Sequence, residues 1–344
     1  MRKFKFNFKP SISLFVTIGA VVIFALMCIS AYNVGKESDY GLNEFAERTY
    51  QYGEIQSEKI IESLVQDVTV NWHRGEVQIV KRAGTSTRIY EKASQKLSED
   101  SHMNVTLEGT EVTINWNEEG AGLNKELGKC LVIELPIDNT LYSLTINAGN
   151  SNVYLDGCDS YDLSANTGYG SIQFKKIESE EVYLKTINGD VIGETCDFES
   201  LKVRSTDGQI MLNKFNVYDL DLFTGTGEIN FKGDFASLKA KSYSGNITAG
   251  TTYKPKDINV STTSGNIVLD LPANISFKGE YTTVSGEFVT DFTFKDKGEN
   301  ILAISSEENE LNLATSSGNI TLNKGEKSVE NQFFKKVLGE DEEE

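Results

Sequence analysis

Acidic and basic side chains recur in this sequence at spacings that could do two kinds of chemistry. Asp190, Asp207 and Glu228, with Glu194 a little further along, stand within five residues of glycines that themselves recur about every nineteen residues. Paired carboxylates serve glycoside cleavage at separations of roughly 5 or 6.5–9.5 Å. Asp190 and Glu228 are two repeats apart, so stacked strands would hold them about 9.6 Å apart. The second set is basic and aromatic: Tyr183 and Lys185, Lys202 and Arg204, Asp221 and Phe223, then Lys239 and Lys241 lie six and four residues before successive glycines. Five cations and two rings on one face, with Asp221 among them, suit an anionic polymer such as a teichoic acid, an acidic glycan or anionic lipid headgroups. The same face also reads as a solvated surface whose lysines discourage sheet association, and the acids as ordinary turn residues.

Little else in the chain has the makings of a site. The two histidines, His73 and His102, lie in separate segments, which leaves little material for a metal cluster or a nucleophile–histidine pair. The GYG and GTG triplets fall inside strand–turn–strand units with no helix following, unlike a phosphate-cradling loop. The NIT, NIS and NVS tripeptides arise from the turn grammar rather than as glycosylation acceptors. No catalytic residue, metal ligand or cofactor is therefore expected, and Tyr183, Lys185, Lys202, Arg204, Phe223, Lys239 and Lys241 are the candidate ligand-binding residues.

The glycines place these residues. Gly170, Gly189, Gly208, Gly227, Gly245, Gly265 and Gly286 each close a turn and precede a polar residue and Ile, Val or Phe; Ser151 holds the position one unit earlier and Gly318 repeats it after an insertion. Such a period marks a solenoid in which each unit buries its apolar face only against its neighbours. Apolar pairs stand seven and five residues before the glycine (Leu201 and Val203, Leu220 and Leu222) and two and four after it (Ile210 and Leu212, Ile229 and Phe231). Alternation with period two predicts two short inward-facing strands per rung, stacked in parallel. Three residues before the glycine runs Thr167, Thr186, Ser205, Thr224, Ser242, Thr262, Thr283 and Thr315. This column shares the parity of the apolar residues, so its hydroxyls are expected to point inward and satisfy turn amides. The glycines are expected to supply positive φ. Ile192, Met211 and Val268, outward on the face after the glycines, suggest a partner or a covering segment.

The flanks differ in kind. Residues 11–32 form 22 residues without a charge, preceded by Arg2, Lys3, Lys5 and Lys9. That length spans a bilayer, and the basic flank places residues 1–10 in the cytoplasm and the rest outside the cell. The run is long for a cleavable signal peptide, the competing reading. The organisation expected is thus a cytoplasmic basic tail (1–10), a transmembrane anchor (11–32), a stalk (33–58), a β-rich opening and capping region (59–142), solenoid repeats (143–325) and an acidic tail (326–344). The net charge of −18 makes non-specific nucleic-acid binding improbable. Cys158 and Cys196 share one column two rungs apart, beyond disulfide range, and read as core residues; with Cys130 they make an odd exported count, which argues against a disulfide framework.

Strings such as LDLFTGTGEINF, LKAKSYSGNITAG, INVSTTSGNIVLDLP and LATSSGNITL, opened by LVIELPIDNTLYSLTINAGNSNVYL, resemble the bacterial membrane-anchored adhesin-like family of unknown function. The likeness covers roughly residues 60–323. It implies an N-terminal anchor on an all-β, single-stranded parallel β-solenoid and, for some members, an association with Lia-type cell-envelope stress systems; it implies no catalytic residues. The expected function is a non-enzymatic cell-surface protein that binds or senses envelope or extracellular components, its partner an anionic envelope polymer or a protein. A polysaccharide-active β-helix enzyme and a scaffold assembling through the solenoid ends are the alternatives.

Overall fold

Alternation of buried and outward side chains runs through every rung, and it changes phase at fixed places. In Val191–Arg204 the buried positions are Val191, Gly193, Cys196, Phe198, Leu201 and Val203, with two successive outward residues at 194–195 and again at 199–200. Each phase change is a corner, so a rung has three straight runs, and pairing with the next rung skips residues 195 and 199. The structure, a computed structural model, describes residues 50–117, 127–294, 296–298, 301–303 and 309–339. The basic tail, the anchor, and residues 33–49 of the stalk lie outside these. Among the described residues no helix is long and apolar enough to cross a membrane.

Parallel pairing in strict register stacks like on like. Val191, Ile210, Ile229, Ile247, Ile267 and Ile320 form one inward column, and Leu201, Leu220, Leu238, Ile258 and Leu311 another. Phe174, Phe198, Phe215, Phe231 and Phe235 fill the wide part of the core through a chain of ring contacts at 5.7–6.2 Å. Gly193 makes room for them: a Cβ there would stand 2.5 Å from the rings of Phe174 and Phe215.

At both ends the chain departs from sequence order. Asp67–Arg82 is a full rung, paired on one side with Leu141–Asp156 and on the other with Glu111–Asn115 and Lys129–Pro136, which come later in the chain but lie further out. Antiparallel strands cover that end: Thr87–Ala93 on Lys129–Pro136, Ile55–Ile61 on Thr87–Ala93, and Asn104–Glu108 on Glu111–Asn115. Gly109, with φ of 65°, turns the last of these as a hairpin. At the other end Lys278–Thr283 and Phe288–Thr290 form the outermost rung, and Glu310–Thr315 and Ile320–Lys324 insert between it and the preceding one. The irregular stretch after Leu271 is therefore a rung reached early and backfilled later.

Two contacts escape the repeat grammar. In the N-terminal cap Lys129 and Glu91 are fully buried, with Nζ 3.1 Å from Oε2. Ser57 Oγ and the Met103 amide donate to Glu91 Oε1, and the ammonium lies 4.7 Å from the Trp116 ring centre. A buried charge is tolerated only when paired and hydrogen-bonded in this way. After the last strand the chain runs back along the stack. Asn331 Nδ2 donates to Asn216 Oδ1 and Asp234 Oδ2, and its side chain caps the helix Gln332–Leu338. Phe334, 1% exposed, stacks on Tyr253 at 3.9 Å. Thus the segment expected to be a solvated acidic tail docks on the solenoid as far as this helix, because Phe334 carries apolar area that the neighbouring acids do not.

Candidate functional site

The turns determine what their neighbours can do. Thr186, Thr224, Thr262 and Thr315 point inward and donate through Oγ1 to the carbonyl of the glycine one rung back, at 2.8–3.0 Å. The amides of Gly208, Gly227 and Gly245 donate to the hydroxyls of Ser205, Thr224 and Ser242 in their own turns. The glycines do not supply positive φ, contrary to the expectation from sequence. Instead, a Cβ built on any of the eight turn glycines would stand 1.7–2.1 Å from a carbonyl oxygen of the rung behind. Backbone approaches backbone too closely for a side chain. Left-handed backbone sits at another corner, at Gly157, Lys176, Thr195 and Lys214, with φ between 54° and 68°.

The carboxylates beside the turns hold rungs together. Asp190 Oδ1 accepts from the Gln209 amide at 2.9 Å, the place that Asn152 fills for Ser171, Asn246 for Asn266 and Asn266 for Asn319. Glu228 accepts from Asn246 Nδ2 and Asp207 from Thr226 Oγ1, while Glu194 pairs with Lys214 at 3.4 Å. The four acids thus act as links in ladders rather than converging on one reacting position. Among the described residues no group of three or more His, Cys, Asp or Glu is placed to hold a metal ion.

The basic and aromatic residues do come together. Register aligns Tyr183, Lys202, Asp221 and Lys239 in one outward column and Lys185, Arg204, Phe223 and Lys241 in the next. Lys202 Nζ stands 5.8 Å from the Tyr183 ring centre, and Phe223 meets Tyr243 edge-on at 5.6 Å. Arg204 differs from the lysines: its guanidinium pairs with the Asp221 carboxylate and donates to the Asp221 and Val203 carbonyls. Among the described residues no carboxylate pairs with Lys185, Lys202, Lys239 or Lys241, all exposed. The face therefore presents four available cations rather than five. Tyr243, 53% exposed with Lys241 5.2 Å from its ring centre, belongs to this face; it occupies the turn, outside the strand columns that alternation picks out.

A second concavity lies across the turn. The outward positions three and five residues past the glycine position form a groove of about 520 Å³ over the strands from Asp67–Arg82 to Val191–Arg204, with Gln78, Tyr154, Gln173 and Ile192 along one column. Reading those columns as rows could have found it, since Ile192 already stood out there. Ile192, Met211 and Val268 are each half-buried.

The family model described as Toastrack DUF4097 matches residues 58–323, most of the chain. The chain belongs to the Toastrack DUF4097 family. No curated protein matches it. Among solved structures, a candidate adhesin from Parabacteroides merdae is 14% identical over 82% of this chain and all of its own, with a TM-score of 0.47. A candidate adhesin from Bacteroides fragilis is 11% identical over 81% of this chain and all of its own, at 0.42. A candidate lipid-binding protein from Parabacteroides distasonis is 11% identical over 78% of this chain and 96% of its own, at 0.48.

The Toastrack match takes in both the lysine face and the groove. It also takes in Cys130, Cys158 and Cys196, which are free and buried. Burial pushes the thiols of Cys130 and Cys196 up to about 12 and raises that of Cys158 as well. A thiol that stays protonated is a packing group rather than a nucleophile.

Proposed function

We propose that this Toastrack protein is a non-enzymatic, adhesin-like receptor, anchored in the cell membrane by residues 11–32 and displayed outside the cell, that recognises anionic polymers of the envelope. Sensing such polymers during envelope stress fits the same reading. The observation that carries it is the alignment of Lys185, Lys202, Lys239 and Lys241 with Tyr183, Phe223 and Tyr243 on one sheet face, in a chain whose net charge is −18. A repeating polyanion meets a repeating cation column, with aromatic rings supplying rigid contact area. Arg204 serves this reading as a positioning residue, because its pairing with Asp221 removes the acid that would oppose a polyanion. Engagement of Asp190, Asp207, Glu194 and Glu228 in rung-to-rung links favours recognition over catalysis.

The test is retention of the protein on cell-wall and membrane fractions at low and high salt, beside a Lys202→Glu/Lys239→Glu variant. Salt-sensitive retention that the variant loses is the expected result. Retention indifferent to both changes would sink the lysine face as the site.

A further inference from the structure

The lysine face has a candidate occupant within the chain itself. Five acids, Glu340, Asp341, Glu342, Glu343 and Glu344, follow Gly339, the C-cap of the helix Gln332–Leu338. The helix sets where they are released. Asn331, its N-cap, lies on Asn216 and Asp234, and Phe334, three residues on, meets the rings of Tyr218 and Tyr253. Asn216 and Tyr218 are successive outward residues of one straight run, so the helix advances along the strand towards the corner at Asp219. Around that corner stand Asp221 and Phe223, in register with Lys239 and Lys241 of the lysine face.

One rung gives the acids an unopposed path. Ala236 occupies the Tyr218 column in Ile229–Ser242 and is buried although it points outward. Tyr218 in the rung before it and Tyr253 in the rung after it are the two rings that hold Phe334. From Ala236 the strand runs over Ser237 to Lys239 and Lys241. The corner position next to Ser237 is acidic in both neighbouring rungs, Asp219 and Asp257, whereas Ser237 itself carries no charge to repel a polyanion. Lys256, whose amide donates to the Ala236 carbonyl, adds an exposed cation at this corner, with Nζ 3.5 Å from the Tyr218 hydroxyl. Lys239 and Lys241 lie three and five residues past Ala236, about 10 and 17 Å along a strand. Five extended residues span about 17 Å. Direction, length and sign agree.

We infer that residues 340–344 lie across Lys239 and Lys241 as an internal polyanion, delivered there by the docking of Phe334, and that an external polymer must displace them. The inference rests on the lysine face being the receptor site, and it gives that site a threshold. Exposed ion pairs are individually weak and screened by salt, but a docked helix keeps the acids at an effective concentration in the mM range. A short anion is therefore excluded, whereas a long one that also reaches Lys202 and Lys185 in earlier rungs displaces the acids.

The test is zero-length carbodiimide cross-linking of the full chain in detergent, with monomers analysed by peptide mass spectrometry. Amide links from residues 340–344 to Lys239 and Lys241 are expected at low salt, and they should fall several-fold at high salt and in Phe334→Ala, which releases the helix. In parallel, binding of long-chain inorganic polyphosphate is measured for the wild type and for Glu340→Gln/Asp341→Asn/Glu342→Gln/Glu343→Gln/Glu344→Gln, which keeps the length of the segment. Binding should tighten about five-fold in this variant at low salt and match the wild type at high salt. Links confined to other lysines, links undiminished in Phe334→Ala, or a measurable polyphosphate affinity indifferent to the loss of the acids would overturn the proposal. Links to Lys239 and Lys241 in a chain that binds no polyphosphate, with or without its acids, would support the placement of the segment and sink the receptor reading instead.

Discussion

Two corners of the same rung use opposite solutions to a backbone constraint. At the turn, Gly208 has ordinary backbone angles, yet a Cβ there would lie 1.7 Å from the Gly189 carbonyl oxygen. At the corner that follows, Thr195 and Lys214 hold φ of 58° and 60° with full side chains, since that corner faces outward. Glycine is required where rungs touch and dispensable where the backbone is left-handed. A repeating glycine in a stacked array thus reports contact between repeats before it reports conformation within one.

The most direct way to break this comparison is the same substitution in both columns. Gly208→Ala must push neighbouring rungs apart and should cost on the order of 4 kcal/mol, the exceptional end for a point change. Gly157→Ala, at φ of 68° with the Lys81 side chain at 3.3 Å and no backbone atom nearer than 3.8 Å, should cost about 1 kcal/mol. Equal midpoint shifts in denaturant titrations would refute the distinction. Next in size is Thr224→Val, which leaves the buried Gly208 carbonyl and Gly227 amide without their partner. A loss of roughly 1–3 kcal/mol in the same titration is expected. Thr195→Gly should act in the opposite direction, raising stability by about 0.5–1 kcal/mol, because relief of a left-handed β-branched residue exceeds the added freedom of the unfolded chain. A loss instead would mean that Thr195 makes contacts outweighing its strain.

The smallest expected effect sharpens the comparison just inside the left-handed corner, where Cys158 and Cys196 follow Gly157 and Thr195. Their thiols, with Cys130, should be silent to a thiol reagent at mildly alkaline pH until the protein is unfolded. The folded state keeps Cys196 protonated up to about 12 against an ordinary 9.0. The unfolded chain ionises first, so this group's stability contribution is complete below about pH 9 and is lost as pH rises towards 12. Cys196→Ala should flatten that part of the pH–stability curve, and an unchanged slope would count against the assignment.

Legibility in the sequence followed the range of the interaction. Leu201 and Val203, or Ile210 and Leu212, declare inward strands because alternation is local and repeats in every rung. The threonine column could be placed inward by parity alone, and its hydroxyls are found on the turn backbone. The alignment of Lys202 with Lys239 followed from a constant period. That Arg204 and Asp221 share a face is legible from the period, but only the side-chain geometry shows that the two, 17 residues apart, close on each other. The groove is legible only as a set of outward columns seen together, since none of Gln78, Tyr154 and Gln173 is unusual alone.

By itself the sequence determined the repeat, the identity of the inward and outward columns and the family, since each depends on spacings that survive any arrangement of the ends. Only the tertiary structure decided which strand lies beside which where the period fails. Glu310–Thr315 enters between Asp257–Ser261 and Lys278–Thr283, and Asp67–Arg82 sits inside strands that follow it. Alternation specifies that a strand faces a core, but every rung offers the same backbone edge. Side-chain fit settles which edge is taken, as at the N-terminal cap, where Lys129 and Glu91 close on each other fully buried.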